Sequence, residues 1–551
     1  MAQSSSDATH VRHFRQILLW PLQLMPQSPG SQIQKHCEAL ETVAADNPWR
    51  EVLDEFTEDG GEFQVRHYTE FVTFLPYVQR FLYGEGRARR TTGSQHDPGA
   101  SPMRVFRRSD VAAVRVTPTR GAAPIELTIA QVNLIFFFDI DIVLLNVEVH
   151  RDDLSLATAQ DLLYGFGRAY PAGWDERGDG LHCMHRVEWL DREGRALAAS
   201  DSSERERFLE FVRRHRAPRI SSHWTWLLQP LALDYDERPG AIRYRQIEYY
   251  RMPVMALLAV DDPRAISRND FVRLGLVVGA GESETLPYSD RHVADFEGRH
   301  CYDRFWCESG AAPNTRYLAC GHALVVVGCA RSGYFLDRES GVLAQFRHQH
   351  FLLFLVAHFQ KAALLMFSDR LVVALRRLEI GVPASVKTFK RAIRQNFEIF
   401  LRFTHRYWFH EISDQALARS LFELTAGHLQ LDALYDEVQH RIRDMNQYLE
   451  ADTFRRQANT MVRLTVVTTF GLVGTVTTGF LGMNLIAAAE EPMSLRVFYL
   501  LVTLVATVAL TLYTLSKSRR FSDLLDALAD ERMTMREKWD AFLAVWRRGN
   551  A

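Results

Sequence analysis

Over roughly the first 350 residues, apolar positions come in short runs. "VAAVRVTP" (111–118), "LIFFFDIDIVLLNVEV" (134–149) and "HALVVVGCA" (322–330) read as strands, rich in β-branched and aromatic residues. "TAQDLLYGFGRAY" (158–170) and "SERERFLEFVRRHR" (203–216) carry helical spacing. The apolar run 133–149 is broken by Asp139 and Asp141, which predicts one or two buried strands rather than a membrane span. "ILLWPLQLM" (17–25) contains Pro21 and Gln23 and lacks a small-residue cleavage site, so it predicts an opening strand, not a signal peptide. Residues 89–102, rich in Gly, Ser and Pro, read as a surface loop.

After residue 351 the pattern turns helical. The run 351–367 has His358, Gln360 and Lys361 at its middle, which predicts a buried helix of a water-soluble domain. From 413 to 449 a stripe of Leu417, Leu421, Leu424, His428, Leu431, Tyr435, Val438, Ile442, Met445 and Leu449 recurs at steps of four and three. No proline interrupts 413–477, so one helix is expected to run from 413 to 482. The stripe suits packing within the chain and packing between copies equally.

Two stretches carry no charge, from Arg463 to Glu490 and from Arg496 to Lys517, and each is long enough to cross a bilayer as a helix. Arg455, Arg456 and Arg463 precede the first, and Lys517, Arg519 and Arg520 follow the second. The loop between holds Glu490 and Glu491 against a single Arg496 at its edge. The positive-inside rule then places both termini in the cytoplasm. The expected fold class is α+β. A large cytoplasmic α/β domain (1–350) is followed by a helical region and stalk (351–463) and a pore domain (464–516). The pore domain comprises a first span (464–483), an outer loop (484–496) and a second span (497–516). A tail (517–551) follows, with amphipathic spacing of Phe521, Leu524, Leu525, Leu528, Met535, Trp539, Phe542 and Val545. The first span carries six threonines, and its face of Met461, Leu464, Thr468, Leu472, Thr475 and Gly479 mixes small, hydroxyl and apolar groups. By composition that face suits a helix–helix contact or a pore wall equally.

Composition narrows the function. The net charge is −2, without the basic excess of a nucleic-acid binder. The six cysteines lack a paired C-x-x-C, so His182, Cys183 and His185, and the set His300, Cys301, Cys307, Cys320 and His322, read as scattered side chains rather than a zinc site. No phosphate-binding loop, dinucleotide fingerprint or nucleophile elbow occurs, which leaves an enzyme without support.

At the end of the first span stands Gly482-Met483-Asn484, within "TTGFLGMN" (477–484), and at its start "MVRLTVVTT" (461–469). On these residues and the two-span arrangement, the chain resembles the CorA family of divalent-cation channels over about residues 410–520. The resemblance implies a homopentamer in an inner membrane, passing Mg2+ and in some members Co2+ or Ni2+. It implies that Gly482, Met483 and Asn484 form a selectivity filter, with Asn484 supplying a ring of amide oxygens to the hydrated ion. It further implies that Met461, Leu464, Thr468, Leu472, Thr475 and Gly479 line the pore. Gly482 is expected to let the chain turn. Glu490 and Glu491 are expected to concentrate cations. No cofactor is expected; Mg2+ is the transported ion and a candidate regulator, at cytoplasmic sites the sequence does not mark. Lipid, divalent cations and further copies of the chain are the expected partners. The sequence departs from the family at Leu481, where an aromatic is usual, at 473–474, where proline is frequent, and at "EEPM" in the loop. Its cytoplasmic part and tail are also longer. A zinc-transporting branch of the superfamily and a non-conducting membrane-anchored cation sensor are the alternatives.

Overall fold

The computed structural model describes residues 9–26, 36–42, 47–52, 65–85, 101–235, 242–248, 250–280, 286–376, 378–379, 383–487, 492–495 and scattered positions to 513. The chain divides into two compact units, Met1–Ile442 and Arg443–Ala551.

The first unit is built on one twisted sheet with fourteen described strands. They are β1 (His10–Leu24), β2 (Trp49–Glu51), β3 (Met103–Arg108), β4 (Ala113–Thr117), β5 (Ile125–Phe137), β6 (Ile140–Ser155), β7 (Arg186–Leu190), β8 (Ala196–Ala199), β9 (Leu231–Leu233), β10 (Ile242–Gln246), β11 (Val254–Val260), β12 (Cys301–Tyr302), β13 (Arg316–Cys320) and β14 (Ala323–Cys329). The main path runs β12-β13-β14-β11-β1-β6-β5-β4-β7-β8. Pairing is antiparallel except for β11 with β14 and β9 with β10.

The central strands are covered on both faces, which is why they read as near-continuous apolar runs. In β1, Phe14, Leu18, Trp20 and Leu22 join a core with Leu162, Leu163 and Phe166 around helix α1 (Leu156–Gly165). Alternation leaves Ile17 and Leu19 to the other face, where helix α2 (Phe351–Arg376) packs on β1 and β6. Among the described residues, the helix apolar enough to cross a membrane is Val342–Arg376, and 72% of its apolar window is buried within the protein. It is therefore a core helix, as its polar middle predicts. Gln360 there donates to the Tyr407 carbonyl at 2.9 Å.

The run 133–149 is a hairpin. Phe137 pairs with Ile140, so Phe138 and Asp139 form the turn, and Asp139 takes φ 67°, a left-handed conformation that aspartate tolerates. The residues 17–24 lie in β1, an interior strand of the sheet rather than an edge.

Helices α3 (Pro383–Arg406) and α4 (Ala416–Leu429) complete this unit, and α5 (Leu431–Ala487) begins in it. The compact unit reaches Ile442 and includes α2, which packs on the sheet at β1 and β6. The single helix expected over 413–482 is two. Gln430, at φ 55°, closes α4 in the left-handed conformation, and its N–H bonds back to Ala426 and Gly427. The apolar stripe continues across the break: Leu421, Leu431, Val438 and Ile442 are all buried.

Candidate functional site

The residues expected to form the pore lie on the second unit's part of α5. Met461 and Leu464 are 72% and 63% exposed, large apolar side chains without cover in the single chain. Thr468, Thr475 and Gly479 are exposed with them. The spacing of these five places them on one side of the helix.

The threonines share one hydrogen-bond arrangement. Thr465 Oγ1 donates to the Met461 carbonyl at 2.9 Å, Thr468 to Leu464 at 2.9 Å, Thr469 to Thr465 at 2.8 Å and Thr475 to Gly471 at 2.9 Å. Each hydroxyl proton is spent on the helix backbone, so what the hydroxyl turns outward is oxygen lone pairs. A face of this kind accepts hydrogen bonds, as from the waters of a hydrated cation, and offers no donor to an anion.

Gly482, Met483 and Asn484 fall inside α5, which continues to Ala487. The expected turn at Gly482 is therefore not present, and residues 484–487, expected to open the outer loop, are helical. Gly482 costs a helix about 1 kcal/mol relative to alanine, too little to end it while Leu485, Ile486 and Ala487 favour its continuation. The second span is helical wherever it is described, at 497–498, 501–502, 505–506, 509 and 513, and residues 493–495, expected in the outer loop, are helical too. Phe498 and Val505 in it are 60% and 62% exposed. Glu490, Glu491 and the tail 517–551 lie outside the described residues, as does most of the loop 89–102.

The acidic residues that interrupt the run 133–149 tie the sheet to the helices that follow it. Asp139 pairs with Arg406 at 3.3 Å and Arg402 at 3.8 Å, both on α3, and Tyr407 Oη donates to the Phe138 carbonyl at 2.8 Å. Asp141 pairs with Arg370 of α2 and with His36 at 3.2 Å. Burial alone raises an aspartate's pKa, but Arg370 and His36 hold the Asp141 carboxyl below its ordinary value. Glu148, fully buried on β6, lies between Arg15 of β1 and Arg347, 2.7 Å away just before α2. The two arginines outweigh burial and keep it ionised. In the sequence, Asp139 and Asp141 read only as strand interruptions; the available signal was that one of them sits in the two-residue turn and the other just past it.

Among the described residues, no three His, Cys, Asp or Glu side chains converge on a common point suited to a metal. His185 pairs with Asp179 at 3.1 Å, His300 stacks on His428 with ring centroids 4.2 Å apart, and His322 lies 3.5 Å from Cys320 and beside Arg251. Of the two sets considered for zinc, Cys320 and His322 thus contact each other, while His185 and His300 take partners outside their sets.

Neither a curated protein nor a solved structure matches the chain. Residues 374–517 match the family described as CorA-like Mg2+ transporter protein. The match spans α3, α4, α5 and the second uncharged stretch. Over residues 374–517 the chain is similar to the CorA-type transporter family.

Proposed function

We propose that the protein is a divalent-cation channel that passes Mg2+, assembled as a homopentamer with five copies of α5 around one axis in an inner membrane and both termini in the cytoplasm. The observation that carries this reading is the family match over residues 374–517. The exposed stripe on α5 supports it. Mg2+ gives up its waters reluctantly, so a wall of outward hydroxyl lone pairs at Thr468 and Thr475 suits the hydrated ion. Met461, Leu464 and Leu472 add apolar rings, which gate a narrow pore by dewetting.

Gly482, Met483 and Asn484 form the outer filter. At ~100° per residue, Asn484 lies about 140° around an unbroken helix from Gly479 and Met461. Bringing its amide to the axis requires α5 to unwind between Gly479 and Asn484, and Gly482 is where unwinding costs least. Glu490 and Glu491 raise the cation concentration at the mouth.

Ion flux into proteoliposomes tests the reading. Mg2+ enters through the wild type, and Asn484→Ala abolishes entry while leaving the assembly intact. Undiminished Mg2+ flux through an assembled Asn484→Ala protein refutes the filter. Parallel measurements with Co2+, Ni2+ and Zn2+ set selectivity: flux of zinc alone marks a zinc transporter, and flux of no ion marks a sensor.

A further inference from the structure

Among the described residues five arginines are buried: Arg15, Arg108, Arg168, Arg273 and Arg316. Four have a carboxylate. Arg15 pairs with Glu148, Arg108 with Asp110 at 2.7 Å, Arg273 with Asp270 at 3.1 Å and Arg316 with Asp303 at 2.7 Å. Arg168, the most deeply buried at 2% exposure, has none. Its Nε donates to the Tyr164 carbonyl at 2.8 Å and the Tyr250 side chain is its other polar neighbour, while Nη1 and Nη2 are shut from solvent with no carboxylate to accept from them. The guanidinium instead lies against the rings of Tyr164 and Tyr250, 4.7 and 4.9 Å from their centroids. A buried guanidinium carries five donors and a charge, and leaving most of them unmet is costly.

The surroundings add positive charge rather than cancel it. Arg168 faces Arg251 across an isolated antiparallel bridge, held by Ala169 N–H to the Tyr250 carbonyl at 2.7 Å and Met252 N–H to the Gly167 carbonyl at 2.8 Å. Residues directly opposite in such a pair share a face, so the two guanidinium groups lie on the same side. Arg251 Nη1 contacts His322 Nε2 at 2.5 Å and reaches the Leu276 carbonyl at 3.4 Å. Burial, then Arg251, Arg168 and Lys361, push His322 down to about 3, so it is neutral and accepts from Arg251. Burial and Arg251 lower Arg168 to about 10, which still leaves it a cation at neutral pH. Lys361 is matched by Glu248 at 2.8 Å. Two guanidinium charges therefore stand side by side with no carboxylate paired to either among the described residues.

We propose that Arg168 and Arg251 form a binding site for an oxyanion of the phosphate class, with Tyr164 and Tyr250 as its walls. Two adjacent guanidinium forks match the charge and oxygen geometry of a phosphoryl group, which accepts paired N–H donors. Tyr164, Tyr250 and Arg251 are half-buried, so the route to Arg168 passes between the two rings, which part to admit the anion. The ligand is free phosphate or the terminal phosphoryl group of a nucleotide. This site is independent of the ion pathway on α5.

Calorimetric titration of the full-length protein in detergent tests it, with inorganic phosphate and adenosine triphosphate as probes and chloride as the ionic-strength control. Wild-type protein binds at least one of the two. Binding of phosphate identifies the free ion as sufficient; binding of the nucleotide alone identifies the phosphoryl group of a larger ligand. Arg251→Gln, at a half-exposed position, weakens binding by about 10-fold or more through loss of a charge-assisted contact. Arg168→Met abolishes binding yet melts no lower than the ligand-free wild type, because it removes an unpaired buried charge. Absence of heat with both probes in the wild type overturns the proposal. So does equal affinity in Arg251→Gln, which places the anion elsewhere.

Discussion

At the scale of single residues, the first unit keeps several histidines neutral by burying them. Burial lowers His350 to about 4 and His223 to about 3. Both folded values lie below the unfolded value of about 6.5, so below that pH the unfolded chain binds protons the folded one refuses. The stability these residues contribute is fully present above about pH 6.5 and is lost as pH falls toward the folded values. Each histidine gives a slope of about 1.4 kcal/mol per pH unit in that window. His350→Phe keeps a ring against Tyr317, whose own ring lies 5.7 Å away. It is expected to flatten the drop in urea midpoint between pH 7 and pH 5 by one histidine's share. An unchanged drop would mean that His350 is not the group titrating. None of this was legible beforehand: a histidine inside an apolar run looks the same in sequence whether it is buried or turned out.

At the scale of elements, period was legible and interruption was not. The steps of four and three from Leu417 to Leu449 mark real buried positions, among them Leu421, Leu431, Val438 and Ile442. Yet α4 and α5 meet at Gln430, a residue that announces no break. Glycine is the usual occupant of the left-handed position after a helix, and glutamine there holds a conformation that costs an L-residue about 1 kcal/mol. Gln430→Gly is accordingly expected to stabilise the protein by about that amount, read as a higher thermal midpoint. A lower midpoint would show that the glutamine side chain, not the backbone, matters at this corner. The hairpin at Asp139 was half visible: the charges flagged an irregularity, but their pairing with Arg370, Arg402 and Arg406 spans over two hundred residues of sequence, and no local pattern encodes it. Gly482-Met483-Asn484 gave the opposite error. The motif was legible and the local conformation was not, because a glycine followed by helix formers does not decide between turning and continuing.

At the scale of the molecule, the proposed two spans per chain would not enclose a pore, so the proposed conduction requires copies. Native mass spectra of the detergent-solubilised protein are expected to show five chains, and a stable dimer or tetramer would contradict the proposed assembly. Topology has its own check. A cysteine at Ala488 is expected to react with an impermeant reagent from outside intact cells and one at Ser518 is not; labelling of both would overturn the two-span arrangement. One feature of the sheet bears on how such a chain is made. β1 lies between β6 and β11. During synthesis its first partner, β6, is complete at Ser155, but on the opposite edge β10 begins only at Ile242 and β11 at Val254, roughly 90 to 100 residues later. At about 5–20 residues per second that is on the order of 5–20 s. Throughout that interval an apolar strand stands with one row of backbone groups unpaired, a template for pairing with any neighbouring nascent chain. The ribosome-bound stage, before either span has been made, is thus when this protein most needs shelter, and slowing translation between residues 155 and 254 lengthens that exposure.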